Sequence, residues 1–194
     1  MTDWDKRYQA GEHVNDEPHP LITRFAAQLQ PGRALDVACG PGRHAIWLAQ
    51  RGWQVVAVDS SHTAIEMVHK RCSEKGVSVE AVTADLERHE FVIESEAYDL
   101  IVVCNYLQRD LFPAIRRGTR IGGVVIAVIA LVDEDPKVKP MNPAYLLNAG
   151  ELQAAFEGWD LIHGFEGKPP ESPARRATAE IVARRSGDQT ASCL

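Results

Sequence analysis

The sequence predicts an α/β fold, a three-layer α/β/α sandwich around a seven-stranded, mostly parallel sheet whose last strand is antiparallel. From residue 33 onward, short apolar and β-branched runs alternate with amphipathic stretches of helical period, which is the pattern of βαβ units. Several runs are almost continuously apolar, as expected for parallel strands covered by helices on both faces. The last two runs are separated by a Pro-rich loop too short for a crossover helix, so we expect them to pair antiparallel.

Seven strand candidates and four following helices fit this pattern. The strands are expected at residues 34–39, 54–59, 77–84, 98–104, 123–130, 160–166 and 177–184. The helices are expected at 43–51, 61–75, about 109–119 and about 151–156, with Ser60 and Ser61 as capping candidates for the second. The link at 86–97 is less clearly helical. The Pro-interrupted stretch at 132–149 is a candidate lid.

The chain is predicted to form one domain with an N-terminal cover. Residues 1–30 contain two amphipathic helix candidates, at 3–10 and 20–30, which we expect to cover the sheet as part of the same domain. Residues 31–185 form the α/β domain itself. Residues 186–194 are expected to be a flexible tail. With 45% hydrophobic residues among 194, the chain has enough apolar material for one core.

Composition argues against several classes of function. The net charge of −6 and the scattered Arg pairs disfavour nucleic-acid binding. The longest apolar run, 124–132, is shorter than the roughly 20 residues of a membrane helix, so no membrane partner is predicted. The N-terminus has no apolar secretion signal, and we expect a cytoplasmic location. The four cysteines form no CxxC pair and the histidines show no metal spacing, so no metal is predicted.

The main chemical signal is the stretch LDVACGPGRHAIWLA at residues 35–49, where a strand turns through Gly40 and Gly42 into a helix. Glycines allow a ligand to approach the backbone, and the helix start offers free N–H groups. A second strand ends in Asp59, where a carboxylate can accept hydrogen bonds from the ribose hydroxyls of an adenosine cofactor. This is a Rossmann-like arrangement. The alternative is that the glycines form only a tight turn and Asp59 only caps the next helix.

On these residues the chain resembles the class I S-adenosylmethionine-dependent methyltransferases, which have an acid in the first strand followed by a Gly-rich turn. Asp36, Gly40 and Gly42 match that motif, whereas Ala38 stands where the family often has a further glycine. The resemblance is greatest to the branch of tellurite-resistance and thiopurine methyltransferases. It rests on the stretches WDKRY (4–8), EPHPLI (17–22), GRHAIWLA (42–49), AVDSS (57–61), ADLE (84–87) and CNYLQRDLFPAI (104–115).

The resemblance implies S-adenosyl-L-methionine as the cofactor and a set of residues around it. The acid of the first strand would lie near the methionine part and the acid after the third strand near the adenine amino group. The expected cofactor-binding residues are Asp36, Ala38, Gly40, Gly42, Asp59, Ser60, Ala84, Asp85, Leu86 and Cys104. For Asp85 the alternative is an ordinary carboxylate in a strand-end turn.

The acceptor site is expected beside the fourth strand, because open α/β sheets bind ligands at the carboxyl ends of their strands. Asn105, Tyr106 and Arg109 are the candidates; each has a structural alternative as a turn, core or surface residue. Arg43 and His44 lie in the first turn of the helix after the Gly loop, and His44 could approach the methionine carboxylate. No residue stands out as a catalytic base, and the absence of GxSxG disfavours a serine hydrolase.

The predicted function is methyl transfer from S-adenosylmethionine to a small-molecule acceptor such as a thiol, a chalcogen oxyanion or another metabolite. Trp4, Tyr8 and the Glu17–Leu21 stretch are expected to close over the cofactor. Two alternatives stay open: an NAD-dependent oxidoreductase, whose cofactor also has an adenosine ribose, and a non-catalytic S-adenosylmethionine-binding module. The sequence predicts no oligomeric state.

Overall fold

The computed structural model describes residues 3–168 and 176–187. Its seven strands are β1 Arg33–Val37, β2 Gln54–Asp59, β3 Glu80–Thr83, β4 Tyr98–Cys104, β5 Thr119–Ala130, β6 Asp160–Gly167 and β7 Thr178–Arg184. Its helices are α1 Asp3–Gln9, α2 Pro20–Ala26, α3 Arg43–Ala49, α4 His62–Lys75, α5 Phe112–Gly118 and α6 Glu151–Ala155. Short 3-10 turns lie at Arg109–Leu111 and Pro143–Tyr145.

The strands form a single sheet in the order β3-β2-β1-β4-β5-β7-β6. Neighbours from β3 to β5 pair in parallel, whereas β7 is antiparallel to both β5 and β6. The predicted fold is therefore confirmed, including the antiparallel last strand and the final hairpin. Because β1 and β4 are central, their carboxyl ends lie at the middle of one sheet edge, the expected ligand position.

Helices cover the sheet on both faces. On one face, Ala34, Leu100 and Val102 pack with apolar residues of α2, α3 and α4, among them Ile22 and Leu48. On the other face, alternate strand residues pack with α5, α6 and the 86–97 link; these include Leu35, Val37, Ile101, Val103, Phe112, Ile115, Leu152 and Phe156. Successive strand residues thus enter opposite cores, as the near-continuous apolar runs predict.

Several element boundaries differ from the sequence prediction. β1 ends at Val37 because the next residue, Ala38, has a positive φ of 51° that breaks the extended backbone. The predicted helix at 109–119 is divided into a 3-10 turn and α5, whose first turn contains Pro113. Proline suits a first turn because its missing N–H needs no partner there. β3, α1 and α2 are shorter than predicted, and β5 begins four residues earlier.

Among residues 3–168 and 176–187, no helix is long and apolar enough to cross a membrane, and no cluster of metal-binding side chains is found. Cys39, Cys72 and Cys104 are free thiols within the same ranges. From residue 188 onward, the predicted tail lies outside the described residues.

Candidate functional site

The loop between β1 and α3 has a left-handed backbone at three positions. Ala38, Gly40 and Gly42 have φ values of 51°, 53° and 80°. A side chain at Gly42 would also collide with Val68, since its Cβ would lie 2.7 Å from Val68 Cγ2. Gly42 is therefore required both by backbone conformation and by the close approach of α4. The positive φ of Ala38 lies in a region that glycine adopts more easily than alanine.

Asp59 joins the end of β2 to this loop. Its Oδ2 accepts a hydrogen bond from the Gly40 N–H at 2.8 Å, and its Oδ1 accepts one from Ser61 N–H at 2.9 Å. The carboxylate is 7% exposed, and burial raises its pKa, while these backbone donors oppose that shift. The sequence predicted this proximity of the loop and Asp59. Ser60, predicted beside them, is partly exposed next to the carboxylate.

Asp36 lies under the start of α3 and is almost fully buried. Its Oδ2 accepts a hydrogen bond from the Ala45 N–H at 3.1 Å, and burial raises the pKa of its carboxyl to about 7. The Nδ1 atom of His44 lies 3.9 Å from Asp36 Oδ1. His44 Nε2 accepts a hydrogen bond from the His19 N–H, so the ring proton of neutral His44 is on Nδ1, on the side of Asp36.

His44 stays uncharged because burial lowers its pKa to about 3. Its two ring nitrogens therefore connect the N-terminal segment, through His19, to the buried acid of β1. This supports a structural role for His44, which holds the segment against the site.

Arg43, at the first position of α3, brings a positive charge to the site. Its guanidinium donates to the Sγ of Cys104 at 3.6 Å and to the carbonyl of Glu17 at 3.5 Å, both of them weak bonds. No ion pair to Arg43 occurs in the part of the chain that the structure describes. The sequence places Arg43 beside the loop but gives it no role, because its lack of a carboxylate partner appears only in three dimensions.

The residues after β3 lie next to Asp59, at the end of β2. The Ala84 N–H donates to the Asp59 carbonyl at 3.0 Å, and Ala84 and Leu86 are buried. Asp85 Oδ1 accepts hydrogen bonds from Glu87 N–H at 2.9 Å and Arg88 N–H at 3.4 Å. The Asp85 carboxylate thus caps its own turn, which is the structural alternative to adenine binding. Its assignment to the adenine stays a prediction.

The end of β4 places three predicted residues at the sheet edge. Cys104 is buried, which raises the pKa of its thiol to about 11. Asn105 is exposed with a φ of 59° and donates its N–H to the Val128 carbonyl. The Tyr106 hydroxyl donates to Gln108 at 2.6 Å, and burial is the main cause of its raised pKa. These positions fit the predicted acceptor side of the site.

Arg109 donates hydrogen bonds to four acceptor atoms in α6 and in the 132–149 segment. Its guanidinium pairs with both oxygens of Glu151, at 2.5 and 3.0 Å, and donates to the carbonyls of Ala144 and Leu146. These bonds tie α6 and the 132–149 segment to the chain after β4. An acceptor contact would require one of them to open, so the acceptor role of Arg109 stays a prediction.

α1 covers the Gly loop. The Tyr8 hydroxyl lies 2.9 Å from the position that a Cβ on Gly40 would occupy, and Trp4 stacks on Tyr8 with ring centroids 5.7 Å apart. Burial raises the pKa of Tyr8, and the charge of Asp59 adds to this. Asp5 anchors the helix by accepting hydrogen bonds from the Ser61 hydroxyl at 2.6 Å and the Thr63 N–H at 3.1 Å.

A cavity of about 430 Å³ lies elsewhere, between α6 and the final hairpin. Its lining includes Phe156, Trp159, Leu161 and Ile181. It contains none of the predicted site residues and no cluster of polar groups, so we place the functional site at the sheet edge instead.

Comparison with known proteins relates this chain to methyltransferases. Residues 34–123 match a family model described as "Methyltransferase domain". A curated relative, "Probable S-adenosyl-L-methionine-dependent methyltransferase TehB" of Haemophilus influenzae, is 23% identical over 151 residues, which are 74% of this chain and 51% of the relative. The chain spans about half the length of the curated relatives that head the comparison.

Solved structures show the same fold. TehB from Haemophilus influenzae superposes with a TM-score of 0.76 at 21% identity, covering 94% of this chain and 67% of that one. The 1,6-didemethyltoxoflavin-N1-methyltransferase of Burkholderia thailandensis, solved with S-adenosylhomocysteine, gives a TM-score of 0.70 at 20% identity, covering 95% and 86%. Residues 34–123 therefore match a methyltransferase domain, and the chain is similar in sequence and in fold to a tellurite-resistance methyltransferase.

Proposed function

We propose that this chain transfers a methyl group from S-adenosylmethionine to a small-molecule acceptor at the carboxyl edge of the sheet. The observation that carries this proposal is the Asp59 carboxylate, hydrogen-bonded to the Gly40 amide within a loop of left-handed backbone. That arrangement places bare main chain next to an acid of the kind that accepts hydrogen bonds from ribose hydroxyls. The match of residues 34–123 to a methyltransferase domain model supports the choice of this cofactor over NAD.

The charges around the loop suit the parts of this cofactor. We assign Asp59, with Ser60 beside it, to the ribose hydroxyls and the main chain at Ala38, Gly40 and Gly42 to the methionine part. Asp36 would stabilise the amino group of the cofactor, and Arg43, which has only weak partners in the structure, would pair with its carboxylate. Ala84, Asp85 and Leu86 would contact the adenine, and Cys104 would face the cofactor.

When bound, S-adenosylmethionine supplies an activated methyl group on a sulfonium. The chain's contribution is to hold the acceptor in line with that methyl and to exclude water, which together account for most of the acceleration expected of such a site. Asn105 and Tyr106 would orient the acceptor, and α1 covers the loop through Tyr8. A small acceptor is supported by the net charge of −6, which disfavours nucleic acid, although some relatives act on RNA.

Isothermal titration calorimetry with S-adenosylhomocysteine and with NAD tests the cofactor. We expect binding of the former only, and binding of NAD alone would overturn the proposal. Radiolabelled S-adenosylmethionine, incubated with thiols, selenite, tellurite and a metabolite pool, then tests transfer. Binding without transfer to any of them would favour the non-catalytic alternative.

Deleting residues 1–19 tests the N-terminal cover. Tyr8 and Asp5 both leave with that deletion, so we expect weaker cofactor binding or slower turnover. Unchanged binding and turnover would show that α1 is not part of the site.

A further inference from the structure

We propose that Glu180, held by His163, faces the acceptor end of the site and takes up the proton of an uncharged acceptor that presents an N–H or S–H group. This inference rests on the proposed function and narrows its substrate class, because it excludes oxyanion acceptors. The sequence does not single out either residue, since they are 17 positions apart on the final hairpin.

The strand register aligns Glu180 with Cys104 across the sheet, two strands away. Cys104 lies opposite Val128 in β4 and β5, and Val128 lies opposite Glu180 in β5 and β7. With strands about 4.8 Å apart, the Cα atoms of Cys104 and Glu180 are separated by about 10 Å. Directly opposed residues share a face of the sheet, and Cys104 and Val128 both belong to the core formed with α2 and α3. Glu180 is therefore on the same face as Arg43 and at the same sheet edge.

The surroundings of Glu180 are costly for a carboxylate. Only 15% of its side chain is exposed, and the neighbouring positions on this face, Ile126, Val128 and Val182, are apolar. A buried carboxylate is unfavourable unless it is paired or hydrogen-bonded, and an apolar residue would satisfy the hairpin equally well. Packing alone therefore does not explain why a glutamate occupies this position.

His163 orients the carboxylate but uses only one of its oxygens. The Nε2 of His163 lies 3.1 Å from Glu180 Oε2, and the imidazole packs against Phe25 of α2 with ring centroids 5.5 Å apart. Within residues 3–168 and 176–187, no other hydrogen bond reaches the Glu180 side chain. The Oε1 atom of Glu180 has no hydrogen-bond partner among these residues and can accept a hydrogen bond from a ligand.

The N-terminal elements join Glu180 to the rest of the site. α2 contacts His163 through Phe25, and the segment before α2 accepts a hydrogen bond from Arg43 at Glu17. The charge of Glu180 also reaches the sheet edge, where it helps to raise the pKa of Cys104 against the opposing effect of Arg43. An acceptor beside Cys104 would therefore meet a negative group on the β7 side.

The chemistry follows from that charge. As the acceptor nitrogen or sulfur forms its bond to the methyl carbon, the bond from that carbon to the sulfonium breaks and its electron pair neutralises the sulfur. The electron pair of the acceptor N–H or S–H bond stays on the acceptor, and its proton passes to Glu180 Oε1 and then to solvent. An oxyanion carries a negative charge before the reaction and is repelled by the carboxylate.

The inference can be tested although the natural acceptor is unknown. The test measures how tightly small probe molecules bind to the protein in complex with S-adenosylhomocysteine. The probes are benzimidazole and benzyl mercaptan, which offer N–H and S–H, against selenite and tellurite. We expect the two uncharged probes to bind the wild type more tightly, and Glu180→Ala to weaken them by about tenfold, the value of one good hydrogen bond. Tighter binding of either oxyanion, no binding of the uncharged probes, or equal binding by the variant would each overturn it.

Two further variants separate this role from simple support of the hairpin. Glu166→Gln is the matched control, because Glu166 lies opposite Ala179 on the other face and contacts Gly150; it should leave probe binding unchanged. His163→Gln should weaken probe binding less than Glu180→Ala, because His163 acts only as a positioning residue. Loss of thermal stability with unchanged probe binding in both Glu180 and His163 variants would show a purely structural pair.

Different outcomes would overturn the proposed function and the role of Glu180. Wild-type protein that does not bind S-adenosylhomocysteine would overturn the proposed function itself. Equal binding of S-adenosylhomocysteine by wild type and Glu180→Ala, together with equal probe binding, would overturn only the role of Glu180.

Discussion

Ala38 holds a left-handed backbone conformation that is unfavourable for any residue with a Cβ atom. Its φ is 51°, in the turn that follows β1. Holding a non-glycine residue there costs about 1 kcal/mol or more, which the surrounding structure must offset. The departure from glycine in this loop is therefore tolerated by the fold but strained.

Replacing Ala38 with glycine should relieve that strain. We expect Ala38→Gly to raise the free energy of unfolding by up to about 1 kcal/mol, measured by urea denaturation. Ala45→Gly is the control, because Ala45 has a helical backbone in α3 and glycine there should cost about 1 kcal/mol. Equal destabilisation by both changes would contradict the strain at Ala38.

The raised pKa of Asp36 predicts a pH-dependent stability. Burial shifts this pKa from 3.8 to about 7, so the folded protein favours the protonated carboxyl. Stability from this group is complete below pH 3.8 and is lost as the pH rises through about 7. Asp36→Asn, which is never charged, should therefore be more stable than the wild type at pH 8, by up to about 4 kcal/mol.

Urea denaturation of both proteins between pH 5 and pH 8 measures this difference. The advantage of Asp36→Asn should shrink toward pH 5, where wild-type Asp36 is protonated. Comparing variant with wild type removes the opposite trend from His44, whose depressed pKa lowers stability in acid in both proteins. A difference that does not change with pH would show that Asp36 titrates in its ordinary range.

At this scale the sequence identified residues whose partners are local or strand-adjacent. Gly40, Gly42 and Asp59 follow from one loop and two neighbouring strands, and the Gly40–Asp59 hydrogen bond confirms their proximity. The Arg109–Glu151 pair spans 42 positions, and no spacing rule connects those residues. Long-range side-chain pairs of this kind depend on how helices pack, which composition and periodicity do not encode.

At the level of elements, α1 is a short helix that Asp5 anchors to the start of α4. Asp5 accepts hydrogen bonds from both Ser61 and Thr63 at the start of α4, where Ser61 is also the N-cap residue. Seven residues are too few for a helix to be stable alone, so docking must supply its stability. The N-terminal cover is thus expected to depend on Asp5.

Asp5→Ala should release α1 from α4. We expect faster amide hydrogen exchange over residues 3–10, by about tenfold for each 1.4 kcal/mol of lost docking energy, with little change in the sheet. Asp3→Ala is the control, since Asp3 is exposed and its only described contact is a 4.0 Å approach to Lys6. If both variants exchange alike, α1 is held by other contacts.

The 132–149 segment is fastened at two places. Arg109 and Glu151 hold its C-terminal half, while Lys168 pairs with Asp135 at 2.6 Å and Asp133 at 3.5 Å near its start. Prolines interrupt the segment, so it has little regular structure to hold it without these contacts. We therefore expect these ion pairs to limit the movement of the candidate lid.

Glu151→Ala should loosen the segment. Limited proteolysis is expected to cut within 132–149 several times faster, because an ion pair that is partly exposed still contributes about 1 kcal/mol. Glu157→Ala removes a carboxylate from the same region without an ion pair of its own among the described residues, and should be cut at the wild-type rate. Equal cleavage of the two variants would assign the tether to Lys168 instead.

The existence and type of the strands were predictable at this level, but the ends of several elements were not. Apolar runs at 54–59 and 98–104 mark β2 and β4 at their observed bounds, because both are buried on two faces. β3 is an edge strand with partly exposed residues, so its apolar pattern extends beyond the hydrogen-bonded part. Boundaries depend on where pairing stops, which neighbouring strands decide.

At the level of the whole molecule, the proposed cofactor site joins elements that are otherwise separate. Five parts of the chain meet around Asp36, Asp59 and Arg43. They are α1, the N-terminal segment, the loop after β1, and the ends of β2 and β4. A ligand that binds there is bound only by the folded chain. Its binding energy therefore adds to the stability of the whole domain.

S-adenosylhomocysteine should consequently raise the melting temperature of the full chain. At a concentration about 100 times its Kd, the added stability is about 2.7 kcal/mol. For a domain of this size, that corresponds to a rise of about 5–10 °C, measured by differential scanning calorimetry. NAD at the same concentration should produce no rise, which separates the methyltransferase from the oxidoreductase alternative.

The same measurement shows whether the ligand sits at the predicted loop. Asp59→Asn weakens the acid proposed to bind the ribose hydroxyls, so the rise should become much smaller at an equal ligand concentration. Asp160→Asn, on the exposed start of β6, should keep the full rise. A rise that persists unchanged in Asp59→Asn would place the ligand elsewhere, because a bound ribose that loses an ionised acceptor must lose affinity as well.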